Sequence, residues 1–517
     1  MKATPKVVIG LSIALILSLA IKPAYAHGFG ERYDLPLPLS IYIIGAGAAV
    51  GLSFLLITYL LRNSRFSGSY VVVNLYDHKV SWLLKNVVVR TFIKGFALFA
   101  FVLTITSGLI GDQTPIKNLT PTMVWIIFWV ALTYISALVG NAWRIINPLK
   151  ILFEVAEWTY IRLSKNNSLS LNRDYPTRLG VWPAFALFLG FAWVELVYPS
   201  SAVPKTLSIF IIYYSLISWI GMFIFGKERW TTNGDAFTVF FDLFGCFAPT
   251  EVRVSLDTIC LSCGSGCKYT VNGCVNCYDC FDRSPKTARQ FNLRPFGAGL
   301  LNGGEISPSL LATVILILST VTFDGFTATP LWVDMVFQIL PIFEFLGSSR
   351  VIGVTTLGLL IFPILFVSVY LIFCRAMRYF SNESTDTLKF AKLFVLSLIP
   401  IALAYHLSHY LSYLLIQGQL LITLLSDPFG YGWDLFGTGE FKPNIAIVNA
   451  RFAWILSMVA IVMGHIIAVY ISHITAVNYL KNHRAALKSQ YPMLILMIAY
   501  TMTSLWILAQ PITEFSG

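Results

Sequence analysis

The sequence predicts an all-α polytopic transmembrane bundle of about ten spans, with a small cysteine-rich cytoplasmic loop. Three observations predict it. Of 517 residues, 56% are hydrophobic and only 12% charged, against about 25% charged in a soluble globular protein. The apolar residues fall in ten blocks of about 20 or more, the length a bilayer demands. Finally, Lys and Arg gather in the short segments between blocks, which is how membrane orientation is written. The net charge of +11 is therefore a topology signal. It contains no basic run that could track phosphates, which argues against nucleic acid as a partner.

In order along the chain, residues 1–26 read as a secretory signal peptide: Lys2 and Lys6, an apolar run from Val7 to Ile21, then Ala24-Tyr25-Ala26 as the cleavage pattern. Cleavage there would expose His27, whose free amine and imidazole suit copper. The spans follow near 38–61, 92–111, 121–142, 179–199, 206–226, 307–327, 351–375, 391–416, 446–474 and 491–511. With the mature N-terminus outside, the inside segments hold 27 of the 36 Lys and Arg, the outside segments six and the signal peptide three. That asymmetry predicts a multi-pass protein of the plasma membrane with both mature termini outside. The domains are then the signal peptide, a first five-span bundle (27–226), a cytoplasmic loop (227–306) and a second five-span bundle (307–517).

Three stretches depart from simple spans. Pro330 to Gly347, broken by Asp334, Pro341 and Glu344, suits an interfacial or re-entrant helix on the outside. Ser426 to Pro443 is rich in Gly and aromatics and suits a compact outer lid. Asn141, Arg144 and Asn147 close the third span and would cap and anchor it. No internal repeat is visible, which argues against an inverted-repeat transporter.

Six of the eight cysteines, Cys260, Cys263, Cys267, Cys274, Cys277 and Cys280, fall in CLSCGSGCKYTVNGCVNCYDC. Two CxxC pairs around a short loop are a thiolate–metal pattern, because each pair can chelate one ion. A zinc site built from thiolates uses four, so six leave two spare or imply a second ion. An iron–sulfur cluster also needs four, and reactive thiols are a third reading. Cys246 and Cys374 read as small buried hydrophobes.

Charges at membrane depth are costly and point to function. Counting about 1.5 Å per residue puts Glu195, Asp324, His406, His409 and Arg451 in one slab of the outer leaflet, although they come from four spans. His406 and His409 are spaced i, i+3 and can share a helix face, so both could reach one zinc, copper or iron ion with the carboxylates completing its shell. Polar glue between helices, or a proton or substrate pathway, would use the same residues. His465 and His473, on the ninth span, read as structural polar groups, with haem ligation as the alternative.

Together, HGFGERYDLPLPL, GNAWRIINP, GDAFTVFFDLF, TFDGFTATPLW, AYHLSHY and SDPFGYGWDLFGT resemble a prokaryotic polytopic membrane-protein family known as fenitrothion hydrolase or a component of that complex. The matching segments run from about 27 to 440. The resemblance implies a multi-span protein associated with organophosphate ester hydrolysis. The six-cysteine loop looks like a specialisation of this chain. The expectation is an integral membrane metal-dependent enzyme, or enzyme-complex subunit, with Glu195, Asp324 and Arg451 as catalytic residues and His406 and His409 as metal ligands. Its partners are the lipid bilayer and other membrane subunits. A transporter or metal-handling permease, and a non-catalytic scaffold, are the alternatives.

Overall fold

The computed structural model describes residues 33–61, 70–79, 81–82, 86–164, 168–255, 269–270, 273–301, 306–480, 482–510 and 513–514. The signal-peptide segment, His27, Cys260, Cys263 and Cys267 lie outside the described residues. Among those described, ten helical segments are long and apolar enough to cross a membrane, and each coincides with a block read from the sequence.

The first five spans are α1 (Leu39–Leu60), α2 (Val87–Ile110), α3 (Leu119–Leu138), a fourth span whose helix is α4 (Trp182–Leu196), and α5 (Pro204–Phe225). A short apolar helix, α6 (Ala236–Gly245), does not span. Next come α7 (Tyr278–Arg283), α8 (Pro308–Thr327), α9 (Pro330–Ile339), α10 (Arg350–Ser381), α11 (Ile399–Gln417), α12 (Ala450–Tyr479) and α13 (His483–Ala509). Polar caps mark where several begin. Asn86, Ser307, Asn449 and Asn482 each accept a hydrogen bond from an N–H of the first turn, satisfying donors the helix itself leaves open. The Pro330–Gly347 stretch forms α9 and a 3-10 segment, and Gly347 at φ 55° breaks the helical path before α10.

The spans are not equivalent. Over its most apolar 18 residues the eighth span (Thr387–Gln417) is 83% buried inside the protein and the sixth, α8, 72%, whereas α2 and the seventh are 17% buried over theirs. The central pair therefore packs against protein, and α2 and α10 offer apolar surface to lipid. One continuous core draws on both halves of the chain, from Val50 and Phe54 on α1 to Met497 and Leu505 on α13. Nine of ten residues of α6 are buried, with Phe240 against Trp129 and Phe188.

Strands β1 (Tyr33–Asp34) and β7 (Thr513–Glu514) pair in parallel. Strands β2 (Val73–Asn74), β3 (Thr250–Val254), β4 (Tyr269–Thr270), β5 (Gly273–Val275) and β6 (Arg289–Leu293) form a five-stranded antiparallel sheet in the order β2-β6-β3-β5-β4. The expected cysteine-rich loop between the fifth and sixth spans carries four of these five short strands. It is fastened to the bundle by Arg294. That guanidinium is fully buried with Glu251 at 3.2 Å and donates to the carbonyls of Gly245, Cys246 and Ala248 at the C-terminal end of α6. A cation there complements the helix dipole and the open carbonyls. Glu251 also takes bonds from Arg253, Asn292 and Tyr70.

Candidate functional site

Two clusters stand at opposite ends of the bundle. The first lies at the end away from the sheet, where α4 and α8 finish. Glu195 is one residue from the end of α4 and Asp324 three from the end of α8. His409 and Tyr410 face them from the middle of α11. His409 Nε2 is 2.8 Å from Asp324 Oδ2. The Tyr410 hydroxyl donates to the same oxygen at 2.6 Å and lies 3.3 Å from Glu195 Oε1. A phenol thus bridges two carboxylates while an imidazole holds one of them. The Asp324 side chain is 16% exposed and that of His409 8%.

The structure therefore brings together Glu195, Asp324 and His409, and adds Tyr410, which sequence reasoning missed. It does not bring in His406 or Arg451 in the manner expected. His406 sits in a box of aromatic rings, Trp129, Tyr134, Phe244 and Tyr410, with centroids 4.7–6.5 Å away. Among the described residues neither of its ring nitrogens has a hydrogen-bond partner. The i, i+3 spacing does put both imidazoles on one helix, but the narrow aromatic wall takes one and the carboxylates the other. Arg451 is exposed on the first turn of α12 and shares no hydrogen bond or ion pair with this set.

The second cluster is in the sheet. Cys274 on β5, Cys277 in the following turn and Cys280 on the first turn of α7 hold their sulfur atoms within 4.8 Å of one another. Asn276 at φ 54° makes the tight turn between the first two. Cys274 and Cys280 are buried beside Val254 and Phe281. This trio could hold a metal ion. Among the described residues it is the only set of three or more His, Cys, Asp or Glu gathered so closely; Glu195, Asp324, His406 and His409 do not gather three ligand atoms in that way.

Beside the second cluster runs an anchoring network. Arg144 pairs with Asp242 of α6, which also accepts from Asn141 at 2.5 Å, while Asn147 reaches Asp235 at 3.3 Å. The Arg144 guanidinium lies 5.0 Å from the ring centroid of Tyr278, between Cys277 and Cys280. Burial works against the charge on Arg144, but Asp242 outweighs it and holds the pKa above the ordinary value.

At the far end the loop 427–441 folds back on the bundle. Asp427 accepts the N–H groups of Tyr431, Gly432 and Trp433, and Asp434 accepts from Ser426 and Gly439. The Phe429 carbonyl takes the Asp112 N–H at 2.7 Å, and the Tyr431 hydroxyl donates to the Ile110 carbonyl. No family model, curated protein or solved structure matches the chain.

Proposed function

We propose that this integral membrane protein exchanges protons at the Glu195–Tyr410–Asp324–His409 set as part of a transport cycle. The observation that carries this is the Tyr410 hydroxyl between two carboxylates. A phenol has one proton to donate. When that proton goes to Asp324, the 3.3 Å approach to Glu195 is favourable only if Glu195 is itself protonated and donates to the phenolic oxygen. The set is then a store for one proton, and two ionised carboxylates so close would repel. His409 offers a second place for the charge, and intramembrane ionisable groups of this kind commonly mark ion paths. The basic-residue pattern supports an outward-facing position for the site.

The test is pH-difference infrared spectroscopy on reconstituted protein. A protonated-carboxyl band that disappears in Glu195→Gln and shifts in Asp324→Asn is expected. Its absence from the unmodified protein would sink the reading.

A second reading has one specific observation behind it. An imidazole held by a carboxylate is a general-base arrangement, and hydrolysis of an organophosphate-like ester is what the family resemblance implies. Turnover of a chromogenic phosphotriester by purified protein, lost in His409→Gln, would favour it. For the cysteine trio we infer a structural zinc site completed by a thiolate from Cys260, Cys263 or Cys267; four thiolates also suit an iron–sulfur cluster, and element analysis separates the two.

A further inference from the structure

We propose that the helix Pro148–Ser164 lies in the plane of the membrane at the sheet end of the bundle and binds an anionic phospholipid there. Arg162 takes the headgroup phosphate, and Val155, Trp158 and Leu163 take the glycerol backbone and the upper acyl chains.

The helix follows the third span after one short helical turn, Trp143–Ile146. It has 17 residues with four charges, Lys150, Glu154, Glu157 and Arg162, and is not among the helices apolar enough to cross a membrane. Three of those charges are met by other elements. Lys150 pairs with Glu228 at 2.8 Å, Glu154 with Lys94 at 3.0 Å and Glu157 with Lys227 at 2.7 Å. These partners also fix its level. Lys94 lies about 10 Å along α2 from the start of that helix at Val87, and Lys227 comes just after the end of α5 at Phe225. The helix is thus tied beside the sheet-end termini of two spans, where acyl chains give way to headgroups. Leu149 and Phe153 hold its first half in a core with Met222 of α5 and Trp230, and the Leu149 carbonyl accepts from the Trp219 indole at 3.1 Å.

The second half leaves that core on one side. Val155, Trp158 and Arg162 follow at three- and four-residue steps and so share a face. Val155 is 53% exposed, Trp158 56% and Leu163 82%. At the same end the two spans it is tied to also turn apolar side chains outward, Val88 and Phe92 on α2 and Ile220 and Phe223 on α5. The free face therefore continues a lipid-facing surface, and a protein partner would first have to displace lipid from it.

Arg162 is exposed and stands over the Trp158 ring, 4.2 Å from its centroid. The indole orients the guanidinium and leaves its N–H fork without an ion pair or hydrogen bond among the described residues. Such a fork matches two phosphate oxygens at once, where a lysine offers a point charge. Tryptophan favours the headgroup level, and amphipathic helices that combine Trp and aliphatic residues with a cation lie in that plane. Free inorganic phosphate would meet the fork but leave Val155, Trp158 and Leu163 uncovered, so the ligand is a lipid. A zwitterionic headgroup would bring an ammonium for which this face has no carboxylate, because Glu154 and Glu157 are already paired. That selects the anionic class.

The test uses the full chain in phosphatidylcholine liposomes. The fluorescence of Trp158 is taken as the difference between each protein and the same protein carrying Trp158→Phe. It is expected to be quenched by phospholipid brominated high on its acyl chains and spared by aqueous iodide. Quenching by iodide instead would put the face in water, and quenching by neither would put it against protein; both results overturn the proposal. Brominated phosphatidylglycerol is expected to act at about fivefold lower mole fraction than brominated phosphatidylcholine, the preference one surface cation supplies. Arg162→Gln should abolish that preference, while Arg283→Gln, at the exposed pair with Asp279, should keep it. Equal quenching by the two lipids in the unmodified protein, an undiminished preference in Arg162→Gln, or its loss on adding inorganic phosphate would overturn the assignment of an anionic lipid to Arg162.

Discussion

Tyr410 is the residue on which the far-end site turns. Without its hydroxyl, Glu195 and Asp324 would face each other with a hydrogen-bond donor removed, and a buried polar group left unmet costs about 1–3 kcal/mol. Tyr410→Phe is therefore expected to lower thermal stability in detergent by that order, with the loss reduced at low pH, where both carboxyls are protonated. An unchanged or raised melting temperature would contradict the bridge. By contrast His406 is walled by the rings of Trp129, Tyr134 and Tyr410 and neither of its ring nitrogens has a hydrogen-bond partner among the described residues, so His406→Phe is expected to fold and keep the infrared band. The sequence already singled out Glu195, Asp324 and His409, because counting residues along a span measures depth. It could not separate His406 from His409: spacing gives a face, and only the packing of Trp129 and Tyr134 decides which imidazole sees wall and which sees carboxylate. Tyr410 was hidden by counting as one more aromatic, though AYHLSHY placed it beside the histidines.

Whole elements were legible wherever a single length governs them. Bilayer thickness sets every span, so the ten blocks could be read one at a time. The sheet could not be read that way. Its strands have two to five residues and come from segments as far apart as Val73 and Leu293, so pairing is decided by the folded bundle. Close helix contacts follow similar logic. A Cβ on Gly464 would stand 2.5 Å from the Ala404 Cβ and 2.8 Å from the Pro400 carbonyl, where neither neighbour has a flexible end to move. Gly464→Val is expected to part α12 from α11 and cost about 1–3 kcal/mol as overpacking, seen as an earlier unfolding midpoint. The far-end loop carries a pH prediction. Hydrogen bonds from Gly439 and Ser426 hold the Asp434 carboxyl below its ordinary pKa, so their support is complete above the ordinary value of about 3.9 and fades as pH falls through the lower one. A spin label at Phe436 should gain mobility on acidification, and in Asp434→Asn at neutral pH.

At the scale of the molecule, Arg294 joins sheet to bundle. Removing one partner of a fully buried ion pair costs about 3–5 kcal/mol, and here three carbonyls at and just past the end of α6 lose their donor as well. Arg294→Met should accordingly destabilise the whole protein, whereas loss of the exposed Arg283–Asp279 pair should be nearly silent. The metal inferred for the cysteine trio is a separate quantity. Cys277→Ser should lower bound metal in element analysis of purified protein while the ten spans still insert.

One modest pairing has a wider reach. Tyr33–Asp34 lies in register beside Thr513–Glu514, so an even number of crossings returns the chain to where it started. Among the described residues the segment before the first span therefore meets the segment after the tenth. The order in which they are synthesised is then only one of several that could build the same object, and a circular permutant opened at an inter-span loop, with these two strands tied by a short linker, has no architectural reason to fail.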